Sequence, residues 1–298
     1  MKVGQVAVIG KANAGKSTLV NVLVGEKVSI VSMKPQTTRD RILGIKTTDD
    51  YQIVFEDTPG LFKYNNRLNA FMQRNVTLAL DGVDLCMYVV DGHKGIKEDE
   101  IKVIENYAKK CEKLIVVVSK IDIMEKERVP HELAKLSSIE NVLDIIPVSA
   151  RKGKNVNELL KVILSHLQEG EMLFPNNVIS DKSEKFMVAE IMREKLLLMY
   201  EREIPYGVAI VINSFGLREG GDIYDVDLDI VCERQKHKGL IIGHQGQALK
   251  KTVAFAREDM EKFLGKKVFL KVYVKVKEEW RNDPSKLIEF GYSINDFN

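Results

Sequence analysis

A mostly parallel α/β fold followed by a smaller α+β module is what this sequence predicts, on three observations. Up to about residue 167, short β-branched runs alternate with helical patterns. From residue 185 the order changes to helix, strand, strand, helix, helix, strand. Between them, 168–184 holds Gly170, Pro175, two Asn and two Ser with little periodicity, the composition of a linker. The expected organisation is therefore 1–167, a linker at 168–184, and 185–298. A chain of 298 residues also exceeds what one hydrophobic core usually organises.

In the first module the strand-like run Val6–Ile9 leads into a helix from Lys16, and residues 47–50 turn a hairpin. The runs DLCMYVVD, LIVVVS and LDIIPVS each precede a helical stretch. Such repetition implies a sheet covered on both faces, with ligand loops at the C-terminal strand ends and one antiparallel edge strand from the hairpin. In the second module Phe186–Glu203 is helical by its apolar spacing, and Gly207–Phe215 and Ile223–Cys232 are strands. Lys238–Leu264 is helical around GHQG, and Val268–Val276 alternates as a strand.

Composition excludes several classes. No run of about 18 apolar residues occurs, so no membrane-spanning helix is expected, and the first strand starts too early for a secretory leader. Cys86, Cys111 and Cys232 lack CxxC spacing, which argues for a reducing cytoplasm and against zinc. The net charge of +2 hides an asymmetry: Glu184–Glu233 has five basic against eleven acidic residues, whereas Arg234–Lys277 has twelve against three. The second segment suits a polyanion.

Gly10, Lys11, Ala12, Asn13, Ala14, Gly15, Lys16 and Ser17 (GKANAGKS) follow a strand and open a helix that continues with Thr18. In that context, glycines let backbone N–H groups converge on phosphates, Lys16 supplies a cation, and the Ser17 hydroxyl is a Mg²⁺ ligand. Asp57, Thr58, Pro59 and Gly60 (DTPG) follow the strand YQIVFE. Asp57 can hold Mg²⁺ through a water, and the Gly60 N–H can sense a γ-phosphate. In the polar stretch VSMKPQTTRD between them, Thr38, or alternatively Thr37, would add a hydroxyl to the metal. Lys16, Thr38 and Gly60 are the catalytic candidates; Ser17, Thr38 and Asp57 are the metal candidates.

Ser119, Lys120, Ile121 and Asp122 (SKID) end one strand, and Ser149, Ala150 and Arg151 (SAR) end the next. A carboxylate such as Asp122 accepts from both N1–H and N2–H₂ of guanine, an arrangement adenine does not offer. The Lys120 stem would lie along the base, and the Ala150 N–H would reach O6.

With these five motifs in order, the first half resembles the small translation-factor-like GTPases, which implies a P-loop NTPase G domain that binds GTP and GDP with Mg²⁺. It departs from their pattern at Ser119, where Asn is usual; a hydroxyl replaces part of that tether at a cost of about 1 kcal/mol. Leu61 stands where Ras-like proteins have a water-orienting Gln. Asn13 matches an Asn that helps bind potassium in bacterial GTPases lacking that Gln, so K⁺ is an expected activator.

In the second module Gly243, His244, Gln245 and Gly246 form a GXXG turn between helical stretches, flanked by Lys236, Lys238, Lys250 and Lys251. In KH domains such a turn clamps nucleic-acid phosphates, and the order of elements is that of the type II KH fold. The whole chain resembles the Era family of bacterial GTPases, through KPQTTRD, REKLLLMYEREIPY and VKVKEEWRNDPSKLIEFGY. The resemblance implies GTP-gated assembly of the small (30S) ribosomal subunit through 16S ribosomal RNA near its 3′ end. It further implies a cytoplasmic monomer with a weak peripheral contact at the inner face of the cell membrane. His244 and Gln245 depart from the Lys often found in the clamp.

Overall fold

The computed structural model describes residues 1–61 and 66–292. The chain divides into two compact units, one ending at Asp181 and one beginning at Lys182, with the short stretch up to Phe71 grouped with the second.

The first unit contains β1 (Lys2–Ile9), α1 (Lys16–Val24), β2 (Ile42–Thr47), β3 (Tyr51–Asp57), α2 (Arg67–Leu78) from Met72 onward, β4 (Leu85–Asp91), α3 (Glu98–Lys110), β5 (Leu114–Ser119), α4 (Arg128–Ser137), β6 (Val142–Pro147), α5 (Val156–His166) and β7 (Gln168–Glu169). The sheet order is β2-β3-β1-β4-β5-β6, with β7 antiparallel to β1. The pairs of β1 with β3 and β4, of β4 with β5, and of β5 with β6 are parallel; the hairpin β2–β3 is antiparallel at the edge. Alternate β1 residues feed opposite cores. Val6 and Val8 pack with α1 and α5, while Ala7 and Ile9 pack with α3 and α4. This two-sided burial explains the near-continuous apolar strands of a parallel sheet. The helix α2 is an addition to the elements expected from the sequence.

Residues 168–181, expected as a linker, lie along this first unit. The buried Gln52 side chain accepts from Leu173 N and Phe174 N, at 2.7 and 2.9 Å, and donates to Phe174 O at 2.8 Å. Ile45 N donates to Ile179 O at 2.9 Å, and Leu43 N to the Asp181 carboxylate at 2.8 Å. The strand edge offers unpaired backbone groups, so this irregular segment finds partners there without needing apolar periodicity.

The second unit contains α6 (Glu184–Met199), β8 (Val208–Leu217), β9 (Ile223–Cys232), α7 (Gln235–Ile242), α8 (Gln247–Leu264), β10 (Lys267–Val276) and α9 (Pro284–Glu289). Its sheet runs β10-β9-β8, with β9 parallel to β10 and antiparallel to β8. Ser183 caps α6 by accepting from Phe186 N. Val188, Ile191, Met192 and Leu196 of α6 meet Leu228, Ile230, Ile241 and Met260 in one core. Trp280, fully buried, donates through Nε1 to Gly207 O at 3.0 Å.

Candidate nucleotide site and nucleic-acid interface

Four loops follow the C-terminal ends of β1, β3, β5 and β6, and they carry the predicted nucleotide residues. The loop 10–15 ends at Gly15, which caps α1 with a left-handed backbone, so the first-turn N–H groups of Lys16, Ser17 and Thr18 face the pocket mouth as an anion site would require. The Lys16 ammonium is turned inward, donating to Gly10 O at 3.0 Å and Lys11 O at 3.1 Å. Burial pulls its pKa down to about 8, against the opposing pull of the Asp57 and Glu100 charges. The DTPG segment lies against the same loop. Leu61 N donates to Gly10 O at 3.1 Å, Thr58 Oγ1 donates to Val8 O at 2.7 Å, and a Cβ on Gly60 would lie 2.6 Å from Ala12 Cα. No residue with a side chain fits at position 60 without moving the phosphate loop.

Ser17 Oγ and Thr38 Oγ1 are 2.8 Å apart, and Thr38 donates to Asp57 Oδ2 at 3.4 Å. Thr38 is buried in this chain of oxygens, whereas Thr37 Oγ1 donates to Lys34 O at 2.6 Å; the structure thus separates the two threonines. Asp57 is fully buried, its pKa raised by desolvation against the hydrogen bond from Ser17 and the Lys16 charge, and its Oδ1 has no hydrogen-bond partner among the described residues. A buried, unpartnered carboxylate oxygen beside two hydroxyls is a set of hard donors that fits Mg²⁺. Among the described residues no group of three His, Cys, Asp or Glu could hold a metal, so waters and phosphate oxygens would complete the shell. The pocket between the loop and residues 30–38 is lined by Asn13, Lys16, Ser17, Thr38 and Gly60. Asn13, at φ 64, donates from Nδ2 to Met33 O at 2.6 Å.

The base-side loops are tied to the phosphate loop. Ser119 Oγ lies 2.5 Å from Ala14 O and 3.0 Å from Val90 O. A hydroxyl has one hydrogen and an Asn amide two, so Ser119 can serve one of these carbonyls well at a time. Lys120 Nζ donates to Asn13 O at 2.5 Å and to Asp91 at 2.7 Å. Asp122 Oδ1 accepts from Ser149 Oγ at 2.7 Å, and the Ser149 backbone exchanges two 3.0 Å bonds with Lys154. SKID and SAR are therefore one bonded assembly, with Ile121 half-buried and Ala150 and Arg151 in the adjoining turn.

In the second unit the GXXG turn joins α7 to α8. Gly243 has φ 73, and a Cβ there would lie 2.6 Å from Ala248 Cβ, so the close approach of the turn to α8 requires glycine. Gln245 and Gly246 also take positive φ, at 49 and 76. His244, Gln245, Lys236, Lys250 and Lys251 are exposed and Lys238 is half-buried. No helix among the described residues is long and apolar enough to cross a membrane.

The model of the 50S ribosome-binding GTPase family matches residues 5–120, and that of the KH domain matches residues 203–281. GTPase Era of Caldanaerobacter subterraneus subsp. tengcongensis is 44% identical over 294 residues, covering 99% of both chains. GTPase Era of Clostridium kluyveri is 42% identical over 292 residues, covering 98% of this chain and 99% of that relative. The chain belongs to the Era family of GTPases. Its fold agrees with family members of known structure. A crystal structure of Era with MgGDPNP and nucleotides 1506–1542 of 16S ribosomal RNA superposes with a TM-score of 0.94, at 37% identity over 99% of this chain and 100% of that one. A single-residue variant of Aquifex aeolicus Era bound to GDP.AlF4⁻ matches with the same score, identity and coverage. The chain thus has the family's architecture, a P-loop G domain followed by a KH domain.

Sequence reasoning missed Asp91, which fixes Lys120, and the group Tyr88, Asp99 and Glu100 around Lys11. No local motif marks them, because the lysines they hold lie far away in the chain.

Proposed function

We propose that the chain binds and hydrolyses GTP with Mg²⁺ and binds 16S ribosomal RNA near its 3′ end, as a GTP-gated assembly factor for the 30S subunit. The observation that carries the reading is the convergence of Lys16, Ser17, Thr38 and the unpartnered Asp57 oxygen at one loop, bonded to the SKID and SAR assembly. Gly10–Thr18 cradle the phosphates, Asp57–Leu61 report on the terminal one, and Ser119–Asp122 with Ser149–Arg151 take guanine. Ser17, Thr38 and Asp57 would hold Mg²⁺, which when bound neutralises phosphate charge. Lys16 stabilises charge on the transferring group, and the Thr38 loop with Gly60 encloses it. Leu61 cannot aim a water by hydrogen bonding, so turnover by the free protein is slow. Asn13, next to the phosphates, would place its side-chain oxygen on a K⁺ ion that takes over part of that charge stabilisation.

The unit from Lys182 supplies the RNA half. Gly243 and Gly246 let the backbone approach phosphates, and Lys236, Lys238, Lys250 and Lys251 add a counterion-release term. The chain acts as a cytoplasmic monomer, and the exposed lysines of β10 give it at most a secondary contact with anionic lipid headgroups.

Competition against labelled GTP tests the first half: GTP and GDP displace it, ATP fails by orders of magnitude, and Asp122→Asn shifts preference toward xanthosine nucleotides. ATP competing within about tenfold would sink the guanine assignment. Faster hydrolysis in potassium than in sodium, lost in Asn13→Ala, tests the ion. Binding of a 16S 3′-end oligonucleotide against a scrambled one, with GDP and with a non-hydrolysable GTP analogue, tests the second half. His244→Asp with Gln245→Asp should abolish the preference, and equal binding in every arm would remove the RNA role. Pelleting with anionic liposomes checks the lipid contact.

A further inference from the structure

The phosphate loop has an anchor on the side away from its pocket. Lys11 follows the first glycine of the loop, yet its side chain leaves the pocket and reaches Asp99 and Glu100 at the start of α3, at 2.6 Å each. The two carboxylates differ. Asp99 is 70% exposed, where an ion pair contributes little; the Glu100 side chain is 11% exposed and accepts from the hydroxyl of fully buried Tyr88 at 2.6 Å. That carboxylate is enclosed between two donors, the Tyr88 hydroxyl and the Lys11 ammonium. Burial and the Glu100 charge keep the Tyr88 hydroxyl protonated far above its ordinary range, so it remains a donor. Burial alone would lower Lys11, but Asp99 and Glu100 outweigh it and keep its ammonium charged.

Residue 11 is held at its other end too. Its carbonyl is one of the two that receive the Lys16 ammonium, and its backbone bridges Leu61 beside DTPG. A shift of Lys11 would therefore displace Lys16 and the junction of the two phosphate-facing loops. We propose that Glu100 is a positioning residue for nucleotide binding: fixed by Tyr88, it holds Lys11 so that the 10–15 backbone stays in its phosphate-accepting shape. This rests on the reading of that loop as the GTP site. The charge is required, not merely the volume, because without it Lys11 keeps only the solvent-exposed Asp99 as a counter-charge, and an exposed ion pair holds a side chain weakly.

The test uses the full chain and a fluorescent GDP. Glu100→Gln keeps the size and can still accept from Tyr88; Lys11→Met removes the other partner. Each should weaken GDP binding by about tenfold, raise KM for GTP with a much smaller change in kcat, and leave the GDP-to-ADP preference intact. The double variant should be no weaker than either single one, and Lys11→Arg should bind within about threefold of the parent. GDP binding by Glu100→Gln within about twofold of the parent overturns the proposal, as do losses that multiply in the double variant. Should Glu100→Gln fail to fold, Lys11→Met against Lys11→Arg decides on the same criteria. Failure of the parent to bind GDP would instead overturn the nucleotide reading itself.

Discussion

The nucleotide pocket and the GXXG turn both present backbone to phosphate, but they are held in opposite ways. Around the pocket, Lys16, Ser119, Lys120 and Thr58 each donate to a backbone carbonyl of a strand end or the phosphate loop, mostly in buried surroundings. Around the turn, the shape comes from two glycines and the packing of Ala248, while Lys236, Lys250 and Lys251 stand in solvent. Preorganised dipoles concentrate the effect of a site in a few groups; exposed cations spread it over many weak, screened ones. One site should break at single positions, and the other should erode.

The largest expected break is Lys16→Met, which removes the buried ammonium held against the phosphate loop. It should cost about 10²–10³ in kcat/KM for GTP, as loss of a single preorganised donor typically does. A loss under tenfold would mean the pocket is as distributed as the clamp.

A pH titration tests the same lysine without mutation. Lys16 enters the pocket with a pKa of about 8, and phosphate favours its charged form, so above that pH nucleotide binding must take up a proton. GDP affinity, measured by fluorescence, should be flat below about pH 8 and fall by up to about tenfold per unit above it. In Lys16→Met the slope should vanish.

Ser119→Ala sharpens the comparison at smaller scale. The hydroxyl bridges Ala14 O and Val90 O with one hydrogen, so its removal should weaken GDP binding by about fivefold, near 1 kcal/mol. An unchanged dissociation rate would show that Lys120 alone ties the loops.

The smallest effect per residue belongs to the clamp. Lys250→Ala with Lys251→Ala should weaken all single-stranded RNAs alike, and the salt slope should flatten by about 0.7 for every phosphate no longer neutralised. A sequence-selective loss would mean that these lysines read bases.

Much of this is legible because chemistry at strand ends comes as contiguous words. GKANAGKS, DTPG, SKID, SAR and GHQG name themselves, and their spacing against β-branched runs places them on one sheet edge or between two helices. What stays hidden joins residues far apart in the chain. Lys11 and Glu100, Asp91 and Lys120, and Gln52 with the backbone of Leu173 and Phe174 are each ordinary in sequence until the fold brings them together. The helix α2, by contrast, is legible as well, since Leu68, Phe71, Met72 and Val76 fall at helical spacing and are all buried. Segment 168–181 looks like a linker because backbone pairing to a strand edge leaves no mark on side-chain composition.

That segment has a practical consequence for dissecting the molecule. Cutting the chain after residue 167, where the alternating pattern ends, would strip Ile45 N and Leu43 N of their partners and take from the buried Gln52 amide all but its bond to Thr47. It would leave β2 as a bare flank open to pairing with another copy, a template for self-association. Ending the fragment after Asp181 keeps that flank occupied by its own chain, so the longer piece should stay dispersed at concentrations where the shorter one precipitates.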